Sequence, residues 1–158
     1  QHSHKMSADL QWLLIRKWNS FMRPATNGPV FSSEKGNLLN IHSGKYSGLA
    51  NNKVIDISGN ADGAITVTKV TANGGKVASA RKSTTLRRST GPRRANKIAA
   101  VETAAKGFRA DLRHAAVARI SALTRANRRN ANPPKEFPAK QRGKKAAPAA
   151  DENAIELD

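Results

Sequence analysis

The stretch KVIDISGNADGAITVTKV, residues 53–70, constrains the fold more than any other part of the chain. Ile55 and Ile57 alternate with Asp56, and Ile65 and Val67 alternate with Thr66 and Thr68. A period of two sends successive side chains to opposite faces of a strand, so each run has one apolar and one polar face. Between the runs lies SGNADG, whose Gly, Asn and Asp suit a hairpin loop. Asn73-Gly74-Gly75 predicts another turn, and KVASARKSTT can supply a third strand. Such an antiparallel meander has one face that something apolar must cover.

The first cover on offer is SADLQWLLIRKW, residues 7–18. Ser7 stands where an N-cap is wanted, and Asp9 falls in the first turn, where the helix dipole favours an anion. Leu10, Leu13, Leu14 and Trp18 recur at i, i+3, i+4 and i+8, which predicts a short helix packing inward. Trp12 lies off that line and reads as a partly buried aromatic, with base stacking as the other possibility. Residues 19–53 hold Pro24, Asn27-Gly28-Pro29, Gly36, Gly44 and Gly48, a pattern of extended segments broken by turns. Phe21 and Phe31 are the expected core contributions there, and Lys45-Tyr46 suits a phosphate contact beside a stacking ring.

Charge then divides the chain. Residues 1–80 carry nine Lys or Arg against four Asp or Glu, residues 81–145 carry 19 against three, and residues 146–158 carry none against four. The formal net charge of +17 favours a polyanion that supplies the missing counter-charge. ARKSTTLRRSTGPRRANK scatters Arg81, Lys82, Arg87, Arg88, Arg93, Arg94 and Lys97 among Ser, Thr, Gly and Pro, and reads as a loop conforming to a surface. IAAVETAAKG, residues 98–107, reads as an alanine-rich helix ended by Gly107. FRADLRHAAVARISALTRANRR, residues 108–129, follows as a longer one. Turned by roughly 100° per residue, its Leu112, Ala116, Ile120 and Leu123 form an apolar stripe that also holds Arg119. Arg109 and Arg113 edge the stripe, and Arg125, Arg128 and Arg129 cover the back. A slim helix of alanine and arginine can approach phosphates on several sides. From Asn130 the chain is rich in Pro, Ala and charge and reads as an extended tail carrying Lys140, Arg142, Lys144 and Lys145.

Other chemistry finds little support. No serine or lysine stands in a nucleophile motif, and no carboxylate pair shares a plausible face with a base, so an enzyme is not expected. Without cysteine there is neither a disulfide framework nor a thiolate metal site, which fits an intracellular compartment. His2 and His4 are an incidental pair at the terminus. No cofactor, metal or small-molecule substrate is expected. No run reaches the roughly 20 apolar residues of a membrane-spanning helix. Residues 98–129 also lack the large apolar face of a membrane-surface helix. Duplex DNA is disfavoured because no helix-turn-helix, zinc-ligand pair or basic zipper is present. Basic residues spread over a loop, two helices and a tail suit a folded RNA approached by shape and backbone contacts.

Three segments, MSADLQWLLIRKWNSF, NLLNIHSGKYSGLANNKVIDI and FRADLRHAAVARISALTRAN, occur in order over residues 6–129. Together they resemble the eukaryote-specific large-subunit ribosomal protein family numbered twenty-eight. The resemblance implies a structural constituent of the cytosolic large ribosomal subunit, assembled in the nucleolus and contacting ribosomal RNA and neighbouring ribosomal proteins. It carries RNA contact onto Arg81, Arg87, Arg109, Leu112, Arg113 and Arg119, and it carries no catalytic residue. An assembly factor of the nucleolus with the same domain type is the alternative. This chain departs from the family pattern in ending on DENAIELD and in the five residues before Met6.

The expected fold is α+β: a small antiparallel sheet packed with an N-terminal helix, then basic helices and an extended C-terminal tail. The expected divisions are residues 1–5 as an extension, 6–85 as the globular domain, 86–129 as a basic loop and two helices on RNA, and 130–158 as the tail.

Overall fold

A computed structural model describes residues 6–71, 77–104, 107–135 and 137. The class is α+β. Strands β3 (Lys53–Gly59) and β4 (Ile65–Thr71) form the expected hairpin, with Ile57 opposite Val67 and Asp56 opposite Thr68. A short helix α2 (Val77–Ala80) leads into β5 (Arg81–Leu86), which pairs antiparallel with β4 to give the order β3-β4-β5. The alternation does what its period demands. Ile55, Ile57, Ile65 and Val67 are buried on one face. On the other, hydroxyls of Thr66 and Thr85, and of Thr68 and Ser83, meet across the strands at 3.4 Å. Loop residues close the hairpin with bonds from the Asn60 amide to the Ala64 carbonyl and from the Gly63 amide to the Asn60 carbonyl.

The helix that covers this sheet is not the first one. Helix α1 (Ala8–Ile15) is capped by Ser7, whose hydroxyl accepts from the Leu10 amide, yet it buries no residue. Leu10, Leu13 and Leu14 are 45–57% exposed and Trp18 is 87% exposed, so the expected inward packing does not occur. The reason is competition for one surface. Helices α3 (Pro92–Ala104) and α4 (Arg113–Ala131) already fill the apolar face, placing Ala95, Ala99, Ala115, Ala116 and Ile120, with Leu112 just before α4, in one cluster with the sheet isoleucines, Leu38 and Leu86. Alanines let the two helices approach closely, and at this contact both Ala99 and Ala116 are fully buried. Thr103 is buried with them because its hydroxyl bonds back to the Ala99 carbonyl at 2.8 Å.

Two further expectations change. Residues 81–97 are not one loop, since Arg81–Leu86 is an edge strand and α3 begins at Pro92 rather than Ile98. Proline suits the first helical position, where no amide hydrogen is needed and φ is already helical. The last helix starts later than expected, after a 3-10 turn at Ala110–Leu112. Helix α3 is described to Ala104, and Gly107 has a positive φ of 61°.

The segment before the sheet forms a compact apron. Strands β1 (Met22–Pro24) and β2 (Val30–Ser32) pair antiparallel, with Phe21 and Phe31 half exposed rather than in the core. Buried Glu34 accepts from Asn37 Nδ2 and from the Ser47 hydroxyl. Gly36 and Gly48 cross backbone to backbone there, and a side chain on Gly48 would run into the Lys35 carbonyl. Trp12 holds α1 to this apron. It packs on Gly44 and lies 4.8 Å from the His42 ring, whose Nε2 donates to the Arg16 carbonyl. It is partly buried, as expected.

Candidate nucleic-acid interface

The cationic residues fall into three groups, divided by how far the fold has already used them. Arg109 is the most engaged. Its Nε and Nη2 grip the two oxygens of Asp111 at 2.9 Å, while Nη1 reaches the Lys53 carbonyl and Nη2 the Lys45 carbonyl, both at 2.9 Å. The guanidinium fork matches a carboxylate in this way, and the side chain is only 14% exposed. The hydrogen bond from Arg109 holds the Asp111 carboxyl below its ordinary value of 3.8, against the opposing pull of partial burial. Arg119 is the second engaged residue. Its Nε donates to the Ile57 carbonyl on the outer edge of β3 at 3.4 Å, and the residue is partly buried.

A second group is brought together by the fold alone. The turn after β5, the start of α3 and the last turns of α4 enclose a cleft of about 470 Å³. Arg87 and Arg88 line it from the turn, and Arg125 and Arg128 line it from α4. Between them stand Thr90, Asn96, Ser121, Thr124 and Asn127, and no carboxylate or aromatic side chain is among the lining residues. Local structure explains each placement. The Arg87 carbonyl closes a turn with the Thr90 amide, and the Ala95 amide bonds the Gly91 carbonyl to start α3. Asn127 Nδ2 donates to the Gly63 carbonyl at 2.7 Å, which fastens the tip of the β3–β4 hairpin to α4. The positive end of α3 opens at the same mouth, where Gly91 and Pro92 line the cleft.

The third group is spread over the exterior. Arg81 and Lys82 are exposed on β5, Arg93, Arg94 and Lys97 on α3, and Arg113 and Arg129 on α4. Lys140, Arg142, Lys144 and Lys145 lie outside the described residues. Elsewhere Lys69 pairs with Glu102, and both Lys69 and Lys53 sit over the Phe108 ring. Lys45 sits 5.6 Å from the centre of the Tyr46 ring, so the two residues pair with each other. Among the described residues no cluster of His, Cys, Asp or Glu is arranged to hold a metal, and no helix is long and apolar enough to cross a membrane.

The polar residues of the cleft were not picked out from the sequence. Ser121, Thr124 and Arg128 recur at i, i+3 and i+7 on α4, a helical spacing that marks one polar face beside the apolar stripe. The partnership of Arg87 and Arg88 with Arg125 and Arg128 has no local signal, because only the α3–α4 packing brings the two pairs together.

Fold and surface define the class: a small, strongly basic α+β protein whose exposed chemistry is carried by guanidinium groups, hydroxyls and amides. The sequence pattern of the ribosomal L28e protein family matches residues 10–126, and the chain belongs to that family, one of structural ribosomal proteins rather than enzymes. It is similar to the large ribosomal subunit protein eL28 of Dictyostelium discoideum, with 33% identity over 123 residues, spanning 78% of this chain and 90% of the relative. The protein of the same name from Schizosaccharomyces pombe is 31% identical over 127 residues, spanning 78% and 94%. That of Caenorhabditis elegans is 46% identical over 65 residues, spanning 40% and 52%.

Proposed function

We propose that this chain is a structural constituent of the large ribosomal subunit, bound to ribosomal RNA through the arginine-walled cleft and the cationic exterior around it. The observation that carries the reading is the cleft itself, which gathers Arg87, Arg88, Arg125 and Arg128 with no carboxylate to neutralise them. Four like charges so close repel one another, and phosphates relieve that cost while releasing counterions. Arg81, Lys82, Arg93, Arg94, Lys97, Arg113 and Arg129 extend the footprint, and the tail cations Lys140, Arg142, Lys144 and Lys145 lengthen it. Arg109 and Arg119 contribute by holding the platform in shape. The working place of such a protein is the cytosolic ribosome, reached through assembly in the nucleolus beside other ribosomal proteins.

The test is the salt dependence of RNA binding by the full chain. Affinity falls steeply as salt rises, with a logarithmic slope of about −0.7 for each single-stranded phosphate neutralised. Replacing Arg125 and Arg128 together by alanine lowers the slope by about 1.4 units. An unchanged slope would remove the cleft from the interface.

A further inference from the structure

The groups between the four arginines do something that a phosphate does not need. Ser121 Oγ gives its hydrogen to Asn96 Oδ1 at 2.9 Å, and Thr124 Oγ1 gives its hydrogen to the Ser121 carbonyl at 3.0 Å. A hydroxyl has one hydrogen, so both oxygens are left with accepting capacity only. Asn127 commits an amide hydrogen to Gly63 and keeps Oδ1, a third acceptor. Asn96 Nδ2, the second Asn127 amide hydrogen and the Thr90 hydroxyl remain as donors for phosphate, but the three acceptor oxygens are of no use to it, because phosphate oxygens are themselves acceptors. The cleft therefore suits a ligand that carries an anion for the walls and a hydrogen-bond donor close beside it for the floor.

We infer that the cleft is a ribose-reading site, in which Arg87, Arg88, Arg125 and Arg128 hold backbone phosphate while Ser121, Thr124 and Asn127 accept from the 2′-hydroxyl. This rests on the RNA-binding reading above and adds discrimination of RNA from DNA to it. The 2′-hydroxyl is the donor that sets RNA apart at any given site. A volume of about 470 Å³ is within the range of small-ligand sites, roughly 300–1,000 Å³. With no aromatic side chain in the lining, the cleft offers bases no ring to stack on. Recognition then falls on sugar and phosphate and is indifferent to sequence.

The experiment compares binding of the full chain to a short oligouridine in ribo, deoxy and 2′-O-methyl forms at one salt concentration. Uracil has no exocyclic amine; the deoxy form removes the 2′ oxygen with its donor, and the methyl form removes the donor but keeps the oxygen while adding bulk. The ribo form binds about threefold to tenfold more tightly than the other two, the worth of one hydrogen bond. Ser121→Ala and Thr124→Val, each checked for unchanged helix content, bring that ratio towards one. Arg128→Ala weakens all three probes alike. Equal affinities in the unaltered chain, or a ratio that neither variant moves, overturn the inference and leave the RNA-binding reading standing. Binding that lacks salt dependence on every probe overturns both.

Discussion

Arg119 Nε donates to the Ile57 carbonyl at 3.4 Å, linking the middle of α4 to the free edge of β3. Strand β3 has a neighbour on one side only, so its outward carbonyls need partners from elsewhere. This explains an arginine inside an apolar stripe. The partly buried residue places its guanidinium on an edge carbonyl, and an arginine's aliphatic stem can lie along apolar surface while its head does so. Arg119→Ala is therefore expected to lower stability by about 1 kcal/mol. Arg129→Ala, fully on the surface, changes it by less than about 0.5 kcal/mol. Urea denaturation of the two variants measures the difference, and equal midpoints would show that the Ile57 contact is idle.

The Arg109–Asp111 fork ties the 3-10 turn before α4 to the backbone at Lys45 and Lys53. Asp111 has a folded pKa below its ordinary 3.8, so it binds a proton less readily when folded than when unfolded. Its contribution is present above the unfolded value and is lost as pH falls through the folded one. Asp111→Asn is thus less stable than the unaltered chain at neutral pH, and the gap closes as pH drops below about 4. Melting curves recorded across that range check the sign. A gap that widened in acid would contradict it.

Ile120 is fully buried, whereas Leu13 and Leu14 are more than half exposed. Ile120→Ala is expected to cost about 2–5 kcal/mol through lost burial and a residual cavity. Leu13→Ser and Leu14→Ser change stability by about 0.5 kcal/mol or less. Chemical denaturation of the three variants ranks them.

At the crossing of Gly36 and Gly48, a β-carbon on Gly48 has no room beside the Lys35 carbonyl. Gly48→Ala forces the two loop backbones apart and is expected to cost about 1–3 kcal/mol. Loss of amide protection around Glu34, Asn37 and Ser47, which share one buried hydrogen-bond group, accompanies it. Unchanged exchange in that group would show that the loops absorb the extra carbon.

The hairpin was legible because alternation over Ile55–Ile57 and Ile65–Val67 specifies both the strand and its buried face. The cover of that face was not. Leucine spacing in α1 reports a helix with an apolar side, but not which surface that side meets. Alanine carries little burial energy alone, so Ala95 read as part of a loop, Ala99 as part of a short separate helix, and the alanines of residues 108–129 as a slim backbone able to approach phosphates. Paired across two helices, Ala95, Ala99, Ala115 and Ala116 form the core instead. The start of α3 was hidden because Ser89, Thr90, Gly91 and Pro92 carry turn chemistry, and a proline that opens a helix resembles one that breaks it. The cationic residues themselves were plain in the sequence. That Arg109 and Arg119 serve the fold while Arg87, Arg88, Arg125 and Arg128 share a cleft required three-dimensional packing.

Sucrose-gradient sedimentation of a cell extract, following this chain and its Arg125→Ala, Arg128→Ala double variant in low and high salt, tests whether the cleft holds the protein on the large subunit. The unaltered chain is expected to travel with large subunits and translating ribosomes and to stay there in high salt. The double variant, folded to the same degree, is expected to be shed from them as salt rises. Migration with pre-ribosomal particles alone, or at the top of the gradient in both salts, would contradict both expectations.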